Sequence, residues 1–228
     1  MKVPAEKDSR ASLQEQGLEI LTRNQCIHFT PPFVIYTSGK IGPYKIDCGE
    51  IQRNAQDLRQ SYQLILSLYY TLEETDPKTT LITGGESIDW MFSLGVAGML
   101  DLPHTMLYKD GRSRGAVLKD EVITHIADVN SEGSSISKLW RPYIEKNQGK
   151  LKQVLFFVER YENGRELLNK AGLSHRAVVE LDAEAWQLLK DRSAITLEQY
   201  REISKYHENM TAWAENTLRS DGGIAYLS

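Results

Sequence analysis

Cysteine is scarce: the 228 residues hold two, Cys26 and Cys48. They form no Cys-x-x-Cys pair and no histidine-rich stretch surrounds them, so the pattern supports neither a disulfide framework nor a zinc site. Two reduced, buried thiols are expected. Seven prolines and 16 glycines are too few for a disordered or fibrous chain. No run approaches the roughly 20 apolar residues of a membrane span, so the expected location is the cytoplasm, with no membrane partner. Positive charge is not in excess: 27 Lys+Arg against 31 Asp+Glu leave a formal net charge of −4. With no basic field to attract polyanions, no nucleic-acid partner is expected. What is present, 41% hydrophobic and 25% charged residues, suffices for a sizeable core in one α/β domain with appendages.

The hydrophobic periodicity places a first helix from Ser12 to about Cys26. Two β-rich runs follow, 33–37 and 43–47, separated by the turn residues Ser38 to Gly42. Residues 54–72 carry Leu58, Tyr62, Ile65, Leu66 and Tyr69 at helical spacing. Strands and helices then alternate: strands at 79–83, 104–108, 122–129, 154–159 and 177–181, helices at 89–101, 134–147 and 163–171. Near-continuous apolar strands in such an alternation predict a doubly wound α/β fold with a mainly parallel sheet and helices on both faces. After Asp182 the pattern is helical, 183–190 and then 196–219. The expected division is an α/β domain over 1–182, with an N-terminal hood at 1–52, and a C-terminal helical extension at 183–228.

In open α/β sheets, ligands bind beyond the carboxyl ends of the strands, where turns aim backbone N–H groups and helix N-termini at anions. Two turns fit best. His125 to Ser135 runs from an apolar strand to an acid, Asp128, then through Asn130, Ser131, Glu132, Gly133, Ser134 and Ser135 into a helix. That is the layout of a phosphate cradle with a carboxylate for ribose hydroxyls. In the second turn, Gly84, Gly85, Glu86 and Ser87, paired glycines allow close backbone approach.

Together with Thr37-Ser38-Gly39-Lys40, Pro43-Tyr44, the basic stretch Tyr108 to Gly115 and Glu159 to Glu166, these turns give the chain a resemblance to the type I phosphoribosyltransferases, specifically the orotate enzymes, over about residues 13–181. The resemblance implies phosphoribosyl transfer from phosphoribosyl diphosphate (PRPP) to orotate or a related base, in a homodimer whose catalytic loop serves the neighbouring subunit. It implies that Gly84, Gly85, Glu86 and Ser87 meet pyrophosphate, and that Asp128 with Asn130 to Ser135 meets the ribose 5-phosphate. Lys109, Arg112 and Arg114 would balance the leaving group, and Lys40, Pro43, Tyr44 and Arg160 would seat the base. Mg²⁺ is the implied cofactor, carried with the substrate and approached by Asp128.

The departures from the family pattern are specific. Ala127 stands where the first of two adjacent acids holds the ribose, Glu132 stands in the phosphate loop, and Ile88 and Asp89 replace a basic residue and a Gly. Arg112 and Arg114 stand for a Lys and a His; they keep charge but cannot donate a proton. Two unit charges about 5 Å apart repel by roughly 3 kcal/mol at an effective dielectric near 20, so acids among anion sites are costly unless they point away, bind a metal or are neutralised. Asp89 also fits a helix cap. The alternative reading is therefore a non-catalytic or repurposed member of the fold, a ligand sensor or partner-binding module. His28, His104, His125, His175 and His207 show no metal-ligand spacing, and His125 reads as a core residue. Trp90, Trp140, Trp186 and Trp213 read as packing groups.

Overall fold

The computed structural model describes residues 6–36, 39–72 and 78–220. In chain order the elements are α1 (Glu6–Arg23), β1 (Ile27–His28), β2 (Val34–Ile35), β3 (Ile41–Gly42), β4 (Lys45–Ile46), α2 (Ala55–Leu72), β5 (Leu81–Gly85), α3 (Asp89–Leu100), β6 (His104–Leu107), β7 (Ser113–Gly115), β8 (Val122–Asn130), α4 (Arg141–Lys146), β9 (Lys150–Glu159), α5 (Gly164–Lys170), β10 (Ser174–Glu180), α6 (Ala183–Asp191), α7 (Leu197–Glu208) and α8 (Met210–Arg219). They fall into two compact units. One runs through Ile20 and resumes at Ile51–Leu181; the other takes Leu21–Glu50 and the described residues from Asp182 on. The second unit thus draws on both regions that the sequence pattern separates as hood and extension.

The first unit is the expected α/β sheet. Its strand order is β10-β9-β8-β5-β6-β7, parallel throughout except for the β6–β7 edge pair. The alternation of side chains across strands fills both faces. His125 pairs with Val154 and Ala127 with Phe156, and on that side Ala127, Val154 and Phe156 pack with Trp140, Ile144 and Leu168. The next residue, Phe157, faces the other way, stacked on Phe92 of α3 at 5.1 Å. From β5 the chain crosses to β6 on one side, whereas β8, β9 and β10 are added on the other. The β5/β8 boundary is therefore a topological switch point, the place where an open parallel sheet forms a crevice at its carboxyl edge.

Helix α1 docks on the far strand through Gln14, which donates to the Glu180 carbonyl at 2.7 Å and accepts the Glu180 N–H at 2.8 Å. The second unit holds two short antiparallel ladders, β1 with β4 and β2 with β3. Its aromatic core contains Tyr44 edge-on to Trp186 at 4.8 Å, and Tyr206 edge-on to Trp213 at 5.4 Å.

Several boundaries differ from the sequence pattern for physical reasons. Helix α1 begins at Glu6, so Ser12 is an internal residue accepting from Gln16 rather than a cap. The run 43–47 does not pair with 33–37 as one hairpin: β2 pairs with β3, and β4 pairs with β1 instead. On α2 the buried stripe is Asp57, Ser61, Leu64, Ile65, Leu68 and Tyr69. It is displaced from the apolar pattern because Asn54 bonds the Asp57 carboxylate and Ser61 donates to the Asp57 carbonyl, satisfying the polar groups. The segment 134–147 passes through a turn of π-helix at Ile136–Trp140 before α4, with Pro142 in the first turn of that helix. The tail helix breaks at Asn209, whose side chain accepts the Ala212 N–H and starts α8. Among the described residues no helix is long and apolar enough to cross a membrane.

Phe157 is fully buried, so Phe157→Ala should cost about 3 to 5 kcal/mol, measured as a loss of free energy in urea unfolding.

Candidate functional site

The site is built where β5 and β8 end. Gly85 has no room for a side chain, since a Cβ there would collide with the Trp140 indole. The peptide between Glu86 and Ser87 is cis. Asp89, the first residue of α3, is buried, with its carboxylate turned back toward the strand ends. One oxygen accepts the Gly85 N–H at 3.1 Å and the other the Asp128 N–H at 2.9 Å. A single side chain thus ties the two turns across the switch point. The Asp89 and Asp128 carboxyl groups also share a hydrogen bond, and burial, followed by the Asp128 charge, raises the Asp89 pKa well above the ordinary carboxylate range. A raised pKa lessens the charge that would repel an anion.

Beneath them lies His125, fully buried, with Nδ1 bonded to Thr83 Oγ1 at 2.9 Å and Nε2 3.8 Å from Asp89. The Asp89–His125 approach is not an ion pair. Burial, with a smaller contribution from His104, lowers the His125 pKa to about 3, so the imidazole is neutral. His104 is likewise held neutral by burial, at about 4.

The neighbouring turns join this pair. Glu86 points to the β6–β7 turn, accepting the Lys109 N–H at 3.0 Å. Trp90 donates to the Gly84 carbonyl at 3.0 Å and lies 4.8 Å from the Tyr108 ring. The turn itself depends on Gly111 at φ 81°. Here Arg112 closes on Asp110 at 2.6 Å and stacks over Tyr108, while Lys109 and Arg114 are exposed. On the other side, Asn130 donates to the buried Glu159 at 2.7 Å, the Arg160 N–H donates to the Asn130 carbonyl, and the Gly164 N–H donates to the Ser131 carbonyl. Gly133 adopts φ 65° against Gly164 and Leu168. Ser131, Glu132 and Ser134 are half-buried, Ser135 and Ser87 are exposed, and Asp128 is half-buried at the strand end with one oxygen on the Val129 N–H.

The structure therefore brings together Gly84, Gly85, Glu86 and Ser87, Asp128 to Ser135, and the turn of Lys109 and Arg112. Arg160 is placed at the end of β9, but its guanidinium is buried in an ion pair with Glu162 at 2.7 Å. In the second unit Lys40 is exposed, Pro43 is buried, and Tyr44 is fully buried in the aromatic core. Thr37 and Ser38 lie outside the described residues. Sequence reasoning missed the inward turn of Asp89, the Glu159–Asn130 pair and the Glu162 partner of Arg160. Only the first left a signal, as a departure from the family pattern. An open depression of about 390 Å³ is lined by Ser113 and Gly115 of β7 and by Lys119, Lys146 and Gln148 before β8 and β9.

As a divalent-cation ligand, Asp128 fits Mg²⁺ in the usual manner of that ion, held by one or two carboxylates with substrate oxygens completing its shell. Its half-exposed carboxylate at the strand end meets that requirement.

Comparison with solved structures identifies the architecture as the type I phosphoribosyltransferase fold. Leishmania donovani UMP synthase superposes with a TM-score of 0.74 at 19% identity over 87% of this chain, which spans 42% of that longer protein. Orotate phosphoribosyltransferase from Francisella tularensis gives 0.64 at 16% identity, covering 84% of this chain and 96% of the other. The Mycobacterium tuberculosis orotate phosphoribosyltransferase in complex with PRPP gives 0.59 at 16% identity, covering 76% of this chain and 96% of that one. No family sequence model and no curated protein sequence matches the chain.

Two outcomes follow from the geometry. Burial raises the Glu159 pKa from 4.5 to about 7. Between those values the folded state binds more protons than the unfolded one, so the stability this residue contributes falls as pH rises, by about 3 kcal/mol in all. Glu159→Gln should match the parent near pH 4.5 and exceed it at pH 8 in urea unfolding. Asp89→Ala strands the buried Gly85 and Asp128 N–H groups and should cost roughly 2 to 4 kcal/mol, with faster amide exchange at both positions.

Proposed function

We propose that the chain is a phosphoribosyltransferase that binds PRPP across the β5/β8 switch point and transfers its phosphoribosyl group to orotate or a related base, releasing pyrophosphate. The observation that carries this reading is the convergence of the Gly84–Ser87 turn and the Asp128–Ser135 turn on one carboxylate at the carboxyl edge of the parallel sheet. Asp128, half-buried at the strand end, accepts the ribose hydroxyls. The backbone of Ser131 to Ser135, leading into the helical segment from residue 134, receives the 5-phosphate. The glycine turn receives the pyrophosphate, and Mg²⁺ held by Asp128 and the substrate neutralises diphosphate charge when bound.

Glu86, engaged by the Lys109 N–H, and Asp89, with its raised pKa, put less repulsion on these anions than their formal charges suggest. Lys109, Arg112 and Arg114 supply positive charge for the departing oxygens in electrostatic catalysis; no proton comes from the guanidinium groups. For Arg112 this requires exchanging Asp110 for the phosphate, a feasible exchange because the pair is solvent-exposed. In the first unit, Arg160, held by Glu162, is the residue proposed to meet the base. The homodimer belongs to the same proposal.

A second reading starts from the internal pairing of these groups: Asp89 on the turn N–H groups, Asp110 on Arg112 and Glu162 on Arg160 satisfy from within the groups that would meet anions. It makes the chain a binding module on an enzyme fold. Calorimetric titration with PRPP and Mg²⁺ separates the two. The enzyme reading expects a dissociation constant on the order of micromolar, weakened about a hundredfold or more in Asp128→Asn, the equivalent of roughly 3 kcal/mol, and pyrophosphate release when orotate is added. Absence of heat at millimolar PRPP would overturn it in favour of the binding module.

A further inference from the structure

Outside the strand-end site, three residues in the second unit face one another. A ring nitrogen of His28, a carboxylate oxygen of Asp47 and one of Glu50 all lie within 4.8 Å of each other, and each residue is half-buried. Local structure explains the meeting. In the β1–β4 ladder His28 is opposite Lys45, and the Asp47 N–H donates to the Cys26 carbonyl at 2.8 Å, so His28 and Asp47 are diagonal neighbours on one face. Asp47 then opens a 3₁₀ turn over Cys48–Arg53, with one oxygen accepting the Gly49 N–H at 3.1 Å. Glu50 follows three residues on, the spacing at which side chains of a 3₁₀ turn eclipse.

The second observation is the imidazole itself. His28 Nε2 is shielded from solvent and has no hydrogen-bond partner, although buried polar atoms are rarely left so. The Lys45 ammonium lies 3.0 Å from the other Asp47 oxygen and is more than half exposed. Two carboxylates and an imidazole, beside an ammonium that can be displaced, offer a donor set for a dication.

We propose that His28, Asp47 and Glu50 form a binding site for a divalent transition-metal ion of the zinc class. One nitrogen and two oxygens suit zinc, cobalt or manganese, whereas magnesium prefers an all-oxygen octahedron. Three protein ligands leave at least one position for water. The proposal stands independently of phosphoribosyl transfer, because none of the three residues belongs to the strand-end turns.

The test is calorimetric titration of the full chain, stripped with chelator, with Zn²⁺ and separately with Mg²⁺. One equivalent of Zn²⁺ should bind, with Mg²⁺ at least roughly tenfold weaker. His28→Ala and Asp47→Asn should each weaken Zn²⁺ binding by about tenfold or more, and Lys45→Met should tighten it by removing the competing cation. Zn²⁺ binding that is absent up to about 1 mM, or unchanged in His28→Ala, would overturn the site. If His28→Ala does not fold, Mn²⁺ added to the unaltered chain decides: selective broadening of the His28 ring signals in the proton spectrum supports the site, and broadening confined to the other histidines refutes it.

Discussion

One buried carboxyl group, that of Asp89, sets the geometry on which the strand-end site depends. Parallel strands leave their carboxyl-end turns separately tethered, and at a switch point no helix crosses directly from one side to the other. Asp89 closes that gap by accepting the Gly85 and Asp128 N–H groups with its two oxygens. Leaving such donors buried and unmatched would cost more than the net worth of ordinary hydrogen bonds, so the residue fixes the spacing of the turns as well as their stability. The fully buried His125 beneath it and the Glu86–Lys109 bond beside it extend the same order to the third turn.

The electrostatics of the site are local and paired. Several charged groups near the turns have neighbours of their own: Asp110 for Arg112, Glu162 for Arg160, and a shared hydrogen bond for Asp89 and Asp128. The buried pairs and the exposed pair differ in consequence. An exposed Arg–Asp contact is weak and exchangeable, whereas the Arg160–Glu162 pair, both side chains 4% exposed, is costly to open. The guanidinium of the β6–β7 turn is thus more readily released to an anion than that at the end of β9.

The α/β alternation was legible because parallel strands covered on both faces need near-continuous apolar runs, and β9 holds such a run over Val154–Val158. The turns at Gly84 and Asp128 were legible because small residues, glycine and an acid at a strand end carry their own local signal. Their partners were not. Asp89 read as a helix cap or an unwelcome charge, and only its contact with Asp128, 39 residues away, shows it as a brace. The buried face of α2 was offset from its apolar pattern because Asn54 and the helix backbone satisfy Asp57 and Ser61, a solution that hydrophobic periodicity does not encode.

By itself the sequence determined the class of fold, the order of its strands and helices along the chain, and the two glycine-bearing turns after β5 and β8, since each of these rests on patterns within a few consecutive residues. Tertiary structure alone decided strand order in space, the grouping of residues 21–50 with the C-terminal helices, the burial of Tyr44, and the meeting of His28 with Asp47 and Glu50. These depend on which distant segments share a surface, and that choice follows from the packing of the whole chain.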